Sequence, residues 1–176
     1  MPEIQIRKAA PEDAAAVCNV LCRSITECCI DDHRHDPATL KSWLGNKTPD
    51  TVAGWFSSPA NFAVVAERDG AVLGIALLTQ AGKLALCYVL PEVQGQGAGS
   101  ALLERIEAQA LVWDISKIRL HSTQAASGFF ARRGYLHAGR EKSCFGLETD
   151  FLWKAVGACE PAPGDARKRF CNCSSG

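Results

Sequence analysis

The stretch "LPEVQGQGAGSALL", Leu90 to Leu103, sets Gly95, Gly97 and Gly99 at alternate positions. The apolar run "KLALCYVL" precedes it and stops at Pro91, while Leu102, Leu103, Ile106 and Ala110 continue at helical spacing to about Val112. A strand, a glycine-rich turn and a helix in that order leave the first-turn amides of the helix without intrahelical partners. Those amides and the helix dipole attract anions, phosphates above all, and glycine lets the backbone approach a phosphate closely at positive φ. The stretch is therefore a candidate phosphate cradle, with tight packing of the turn as the structural alternative.

The flanking pattern predicts the elements around it. "EIQIRKA" alternates about Ile4 and Ile6 and predicts a first strand. Pro11, Glu12 and Asp13 open a helix that carries Val17, Val20, Leu21 and Ile25 on one face. "DPATLKSWLG" predicts a helix capped by Asp36, started by Pro37 and stopped at Gly45, and "PDTVAGWFSS" a second short helix. "NFAVVAERDGAVLGIALLTQ" predicts two strands turning at Asp69-Gly70. "KLALCYVL", nearly all apolar, belongs at the centre of its sheet. After the cradle helix follow a strand "SKIRLHS", a helix "TQAASGFFARRG" ended by Gly134, a strand "YLHAGRE" and a last strand "LETDFLWKAV". Residues 1–156 thus make one domain, and residues 157–176, rich in Pro, Gly, Ser and charge, read as a flexible tail.

With 47% apolar and 22% charged residues among 176, the chain has enough material for a packed core. Nineteen basic against nineteen acidic residues give no net charge, which argues against a nucleic-acid or membrane partner. No apolar run reaches membrane-spanning length, and Glu3 and Asp13 interrupt the N-terminal region, so the expected location is the cytoplasm. The nine cysteines are odd in number and several sit inside apolar periodic segments, as reduced thiols do. "CNC" at Cys171 and Cys173 and "HRH" at His33 and His35 are spaced too closely for an ordinary zinc site, so no metal is expected.

Three glycine-loop chemistries compete for the cradle. A Walker loop needs a lysine after its last glycine, where this chain has Ser100-Ala101. A dinucleotide fingerprint needs G-x-G-x-x-G after the first strand of a βαβ unit, and here the spacing is G-x-G-x-G after the fourth predicted strand. The remaining pattern, Q-x-x-G-x-G from Gln94 to Gly99, resembles the acyl-CoA-binding loop of the GNAT superfamily of N-acyltransferases. "IRKAAPEDAAAV", the "VAERDGAVLGIALL" hairpin and "STQAASGFFARRGY" resemble that family's first strand and helix, its second and third strands, and its late N-x-x-A-x-x-F-Y-x-x-x-G-F segment.

The resemblance implies an α/β (α+β) fold: a mixed, mostly antiparallel sheet of six to seven strands flanked by helices, with the fourth and fifth strands splayed. It implies acetyl-CoA as donor. The backbones of Val89 and Leu90 would meet the pantetheine arm or the thioester carbonyl. Gln94, Gly95, Gln96, Gly97, Ala98, Gly99 and Ser100 would hold the pyrophosphate, and Thr123 and Phe129 would flank the arm. The reaction is then direct attack of a neutral amine, on a small molecule or peptide, with no acyl-enzyme. The family's acid, a tyrosine, is replaced by Phe130, and the position where some members carry a base is Lys83. Tyr88 is the candidate hydroxyl near the strand end, facing the acceptor or relaying a proton. "DDHRHD" reads first as a solvated loop, with Asp31, Asp32 and His33 as the acceptor-side groups able to take a proton. The alternative to an enzyme is a module of the same fold that binds CoA as a regulatory ligand. The oligomeric state is left open by the sequence, with the apolar "FLWKAV" read as an edge that could pair across a homodimer.

Overall fold

The computed structural model describes residues 3–157, so the predicted tail beyond Gly157, with Cys159, Cys171 and Cys173, lies outside the described residues. Seven strands form two sheets. In the first, β1 (Gln5–Lys8), β2 (Asn61–Arg68), β3 (Ala71–Thr79) and β4 (Leu84–Val89) pair antiparallel in chain order. In the second, β5 (Lys117–Ser122), β7 (Glu148–Ala155) and β6 (Leu136–Lys142) lie in that spatial order, also antiparallel. The helices are α1 (Ala14–Cys28), α2 (Ile30–His33), α3 (Pro37–Leu44), α4 (Pro49–Ser57), α5 (Ala98–Val112) and α6 (Gln124–Ala131).

Strand alternation sorts the core into two layers. On β2, Val64 and Ala66 meet Leu102, Leu103 and Ile106 of α5, while Ala63 and Val65 meet Val17, Val20 and Leu21 of α1. Those three α1 side chains are completely buried, each stabilising the fold by about 1.5–3 kcal/mol relative to an exposed position. Because both faces of the first sheet are covered over β2, β3 and β4, those strands read as nearly continuous apolar runs, whereas β1 alternates. The helix starts follow cap chemistry: Asp36 accepts from the Thr39 amide at 3.0 Å, Thr48 from Thr51 at 3.3 Å and Thr123 from Ala126 at 3.2 Å. The β2–β3 turn takes positive φ at both Asp69 and Gly70, the geometry that matches strand twist in a two-residue hairpin.

The two sheets join at one apex. The Arg119 amide donates to the Gly82 carbonyl at 2.9 Å, Lys83 bridges Arg119 in parallel, and from there β4 and β5 diverge. Gly82 permits the approach: a Cβ there would lie 2.8 Å from the Lys117 carbonyl oxygen, at φ +87°. One register step later β4 bulges at Ala85, since Leu86 faces Leu77 while Leu84 faces Leu78.

Four expectations change. β7 is paired on both sides, so "FLWKAV" is the middle of its sheet and offers no edge to a second copy. β4 is central to the molecule yet ladder-paired only to β3, its apolar character coming from helices on both faces rather than strands on both sides. "DDHRHD" is a solvated loop only in part, because Ile30–His33 forms a helical turn that buries His33 to 1% exposure, while Asp31, Arg34, His35 and Asp36 stay exposed. Finally, α6 ends at Ala131, before the positive-φ Gly134 expected to stop it. Among the described residues no helix is long and apolar enough to cross a membrane.

Candidate active site

A cavity of about 500 Å³ fills the gap between β4 and β5, with Gly95, Gly97 and Ser100 at one end and Leu84, Ala85 and His121 at the other. At the glycine end the three glycines do two different jobs. Gly95 and Gly97 take φ of 77° and 91°, and a Cβ on either would meet nothing within 4 Å, so the loop presents bare backbone to open space. Gly99 is helical, and a Cβ there would press on the Phe129 ring at 3.2 Å, which is a packing role. The Ala101 amide bonds the Gly97 carbonyl at 3.0 Å. Among the described residues the amides of Gly95, Gly97, Ala98, Gly99 and Ser100 have no acceptor.

The loop carrying those amides is pinned from behind. Gln96 accepts from Arg68 at 3.0 Å and donates to the Glu92 carbonyl at 3.1 Å, while Arg23 of α1 grips the Glu92 carboxylate at 2.8 and 2.9 Å. Gln96 and the buried Ala98 therefore shape the cradle without lining it, whereas Gln94 lines it. Positive charge comes from residues the sequence reading passed over. Arg133 stacks 4.2 Å over Phe129, donates to the Ser100 hydroxyl and lines the cavity beside Arg132. The legible signal was "ARRG", directly after the matched Phe129-Phe130 pair.

Along β4 the backbone decides which amide is available. The Leu90 amide donates to the Leu73 carbonyl at 2.8 Å and its side chain is buried in the α1 layer, so Leu90 is spent on the fold. Successive amides alternate in direction, which turns that of Val89 toward the gap. Tyr88 lines the cavity from the α1 side, against Trp43 and Ile25. Burial pushes its phenol well above the ordinary value, the Asp32 carboxylate adding to this and the Trp43 indole partly offsetting it. The phenol thus keeps its proton. Cys29 and Cys87, also on the wall, are pushed up to about 12 by burial and stay as thiols. Phe130 is buried edge-on between Phe129 and Tyr135, and the Tyr135 hydroxyl donates to Glu107 at 3.2 Å.

On the opposite wall, Thr123 caps α6 and also lines the cavity. Asp32 reaches the same helix end, its Oδ1 accepting from the Gln124 amide at 2.8 Å, while Oδ2 is buried with no partner. Burial raises its pKa against the pull of the α6 amides. His33 lies away from the cavity: Nδ1 accepts from the His35 amide at 3.0 Å and Nε2 donates to the Thr26 carbonyl at 3.1 Å. The "HRH" motif is thus a fold element. A group the sequence did not single out is His121 on β5, whose Nε2 lies 2.7 Å from Oε2 of Glu141 on β6 and whose ring lines the cavity.

A helix-flanked sheet opened between β4 and β5, with bare amides and arginines at the mouth of the opening, defines an acyltransferase of the GCN5-related class. The chain belongs to the GNAT acetyltransferase domain family, whose model matches residues 31–149. It is 34% identical over 84 residues to an amino-acid acetyltransferase of Ralstonia nicotianae, a match over 45% of this chain and 18% of that protein. The chain therefore spans less than a fifth of that relative's length. Among solved structures, a GCN5-related N-acetyltransferase from Rhodopseudomonas palustris superposes with TM-score 0.78 at 22% identity, over 89% of this chain and 98% of the other. The PaiA N-acetyltransferase of Thermoplasma acidophilum in complex with coenzyme A gives 0.75 at 19% identity, over 88% and 99%.

Proposed function

We propose that this acetyltransferase takes its acetyl group from acetyl-CoA and delivers it to a primary amine of a small molecule or peptide by direct attack. The observation that carries the reading is the set of acceptor-less amides, those of Gly95, Gly97, Ala98, Gly99 and Ser100, at the mouth of the β4–β5 gap. Five amide donors beside two arginines fit a diphosphate, and the loop's open space leaves room for its oxygens. Coenzyme A in the Thermoplasma neighbour and the name of the Ralstonia relative support it.

In this reading Gln94 and the cradle amides hold the diphosphate, and Phe129 and Thr123 flank the arm. The Val89 amide polarises the carbonyl to be attacked. Holding both reactants in one gap supplies much of the rate. Phe130 donates nothing, and the Tyr88 hydroxyl is the donor left to hydrogen-bond the departing sulfur. Asp32 braces the start of α6 and His33 braces α1 against α2, so neither touches the acceptor. The domain is residues 1–156, and the six free thiols among the described residues suit the reducing cytoplasm.

The test is calorimetric titration with CoA and mass detection of acetylated product from acetyl-CoA and an amine panel. We expect micromolar CoA binding and amine-dependent product. Tight binding with no product from any amine would instead support the regulatory module, and absence of binding would remove both readings.

A further inference from the structure

The floor of the gap continues onto an open face of the second sheet. On β5, Ile118 and Leu120 are buried in the α5 layer, so the alternate residues Lys117, Arg119 and His121 face the other way. Their partners on β7, Trp153 and Phe151, lie outside the buried core, as does Glu141 of β6. A depression of about 300 Å³ on this face is lined by Lys83, Arg119, Leu120, His121 and Phe151. His121 and Leu120 also line the large cavity, which makes them the wall between the two.

The charges on this face do not balance. Neither Lys83 nor Arg119 has an ion-pair partner among the described residues, and the Arg119 guanidinium donates only to the Ala81 carbonyl, at 3.0 Å. Lys117 adds a third cation, seated 5.1 Å over the Trp153 ring. The one acid among these side chains, Glu141, is engaged with His121. In a chain of zero net charge, three cations against one committed carboxylate make a local anion site. A guanidinium and an ammonium side by side suit a carboxylate, the guanidinium as a two-pronged donor.

We propose that this depression is the acceptor subsite for an amine that also carries a carboxylate. Lys83 and Arg119 hold the carboxylate, and His121, backed by Glu141, takes the proton from the amine. The assignment rests on the acetyl-CoA reading above. A carboxylate can only accept, so in the neutral ring Nε2 carries the hydrogen toward Glu141 and Nδ1 presents a lone pair that has no partner among the described residues. Arg119 and His121 are two residues apart on one face, about 7 Å along the strand, a span that one amino acid between their side chains bridges.

The step balances. The ammonium gives one proton to Nδ1, and its freed lone pair forms the C–N bond at the thioester carbonyl. The C–S bond breaks with its electron pair leaving on sulfur, the nitrogen sheds a second proton, and the thiolate takes one up. One ammonium and one thioester thus give one amide, one thiol and one proton.

The test uses matched acceptors: an amino acid, its carboxamide and the amine lacking the carboxyl group. For the wild-type chain we expect kcat/KM at least tenfold higher for the amino acid. K83M/R119L should raise KM for the amino acid about tenfold while leaving CoA affinity within twofold. His121→Ala should lower kcat by about a hundredfold, within the range of general-base catalysis, with partial rescue by added imidazole. Equal use of all three acceptors, or an unaltered kcat in a CoA-binding His121→Ala, overturns the subsite while leaving the acetyltransferase reading intact. A chain that binds CoA and acetylates none of the three, nor any amine of the wider panel, overturns both.

Discussion

Replacing Gly97 separates the two ways in which the cradle depends on bare backbone. Gly97 sits at φ 91° and ψ −1°, with open space where a Cβ would project. An L-residue there costs about 1–2 kcal/mol from the left-handed conformation alone, least for Asn and Asp, and meets no steric penalty beyond it. Gly97→Asn and Gly97→Asp therefore carry the same backbone cost and nearly the same bulk, differing by one charge. A carboxylate about 4 Å from a phosphate oxygen at an effective dielectric of about 20 repels it by roughly 4 kcal/mol. After partial screening at about 0.15 M salt, about 3 kcal/mol remains, a hundredfold in Kd. Calorimetry with CoA should find Gly97→Asn weakened up to about tenfold and Gly97→Asp about a hundredfold beyond it, a difference that shrinks at high salt. If both folded variants bind within threefold of each other, no phosphate lies against this loop.

Arg133→Ala should weaken CoA by about tenfold in the same assay, with Arg133→Lys recovering only part, because a lysine cannot both stack on Phe129 and reach Ser100 as a planar fork. Full affinity in Arg133→Ala would exclude the guanidinium from the phosphate site. Gly82→Ala forces a Cβ to 2.8 Å from the Lys117 carbonyl at positive φ and should cost about 2–3 kcal/mol, roughly 5–10 °C in Tm. An unchanged melting curve would mean the apex yields freely. The Asp32 carboxyl, raised by burial, binds its proton more readily folded than unfolded. The wild type should thus gain stability as pH falls from 7 through that raised value, levelling off near the unfolded value of about 3.9. Asp32→Asn should lack this gain, and parallel pH–Tm curves for the two proteins would contradict it.

What the sequence revealed and what it concealed divide along physical lines. Local chemistry was legible: Asp36 and Pro37 start α3, Asp69-Gly70 turns the hairpin, and Gly95 and Gly97 take the left-handed geometry that the glycine spacing suggested. Relations between strands were not. Nothing in the periodicity of "KLALCYVL" says that its strand faces a gap, because burial between helices and burial between strands give the same apolar run. "FLWKAV" read as an apolar edge, while the chain folds β7 between β5 and β6. The His121–Glu141 pair joins residues 20 apart across an intervening strand, invisible to any local window. Its hint was there in "KIRLHS", whose alternate positions put Lys117, Arg119 and His121 on one side. Four residues of α2 are too few for a period, so the burial of His33 had no signature either.

The single apex at Gly82 also bears on how long the protein survives before it meets its donor. Beyond that contact the facing borders of β4 and β5 lack each other's backbone hydrogen bonds, and such bare strand borders recruit other chains. A molecule occupying the gap would cover both borders at once, and at a hundred times its Kd it would add about 2.7 kcal/mol to stability. The empty form is then the species most exposed to aggregation and proteolysis. Its abundance would follow the supply of the donor, tying the lifetime of the catalyst to the metabolite it consumes.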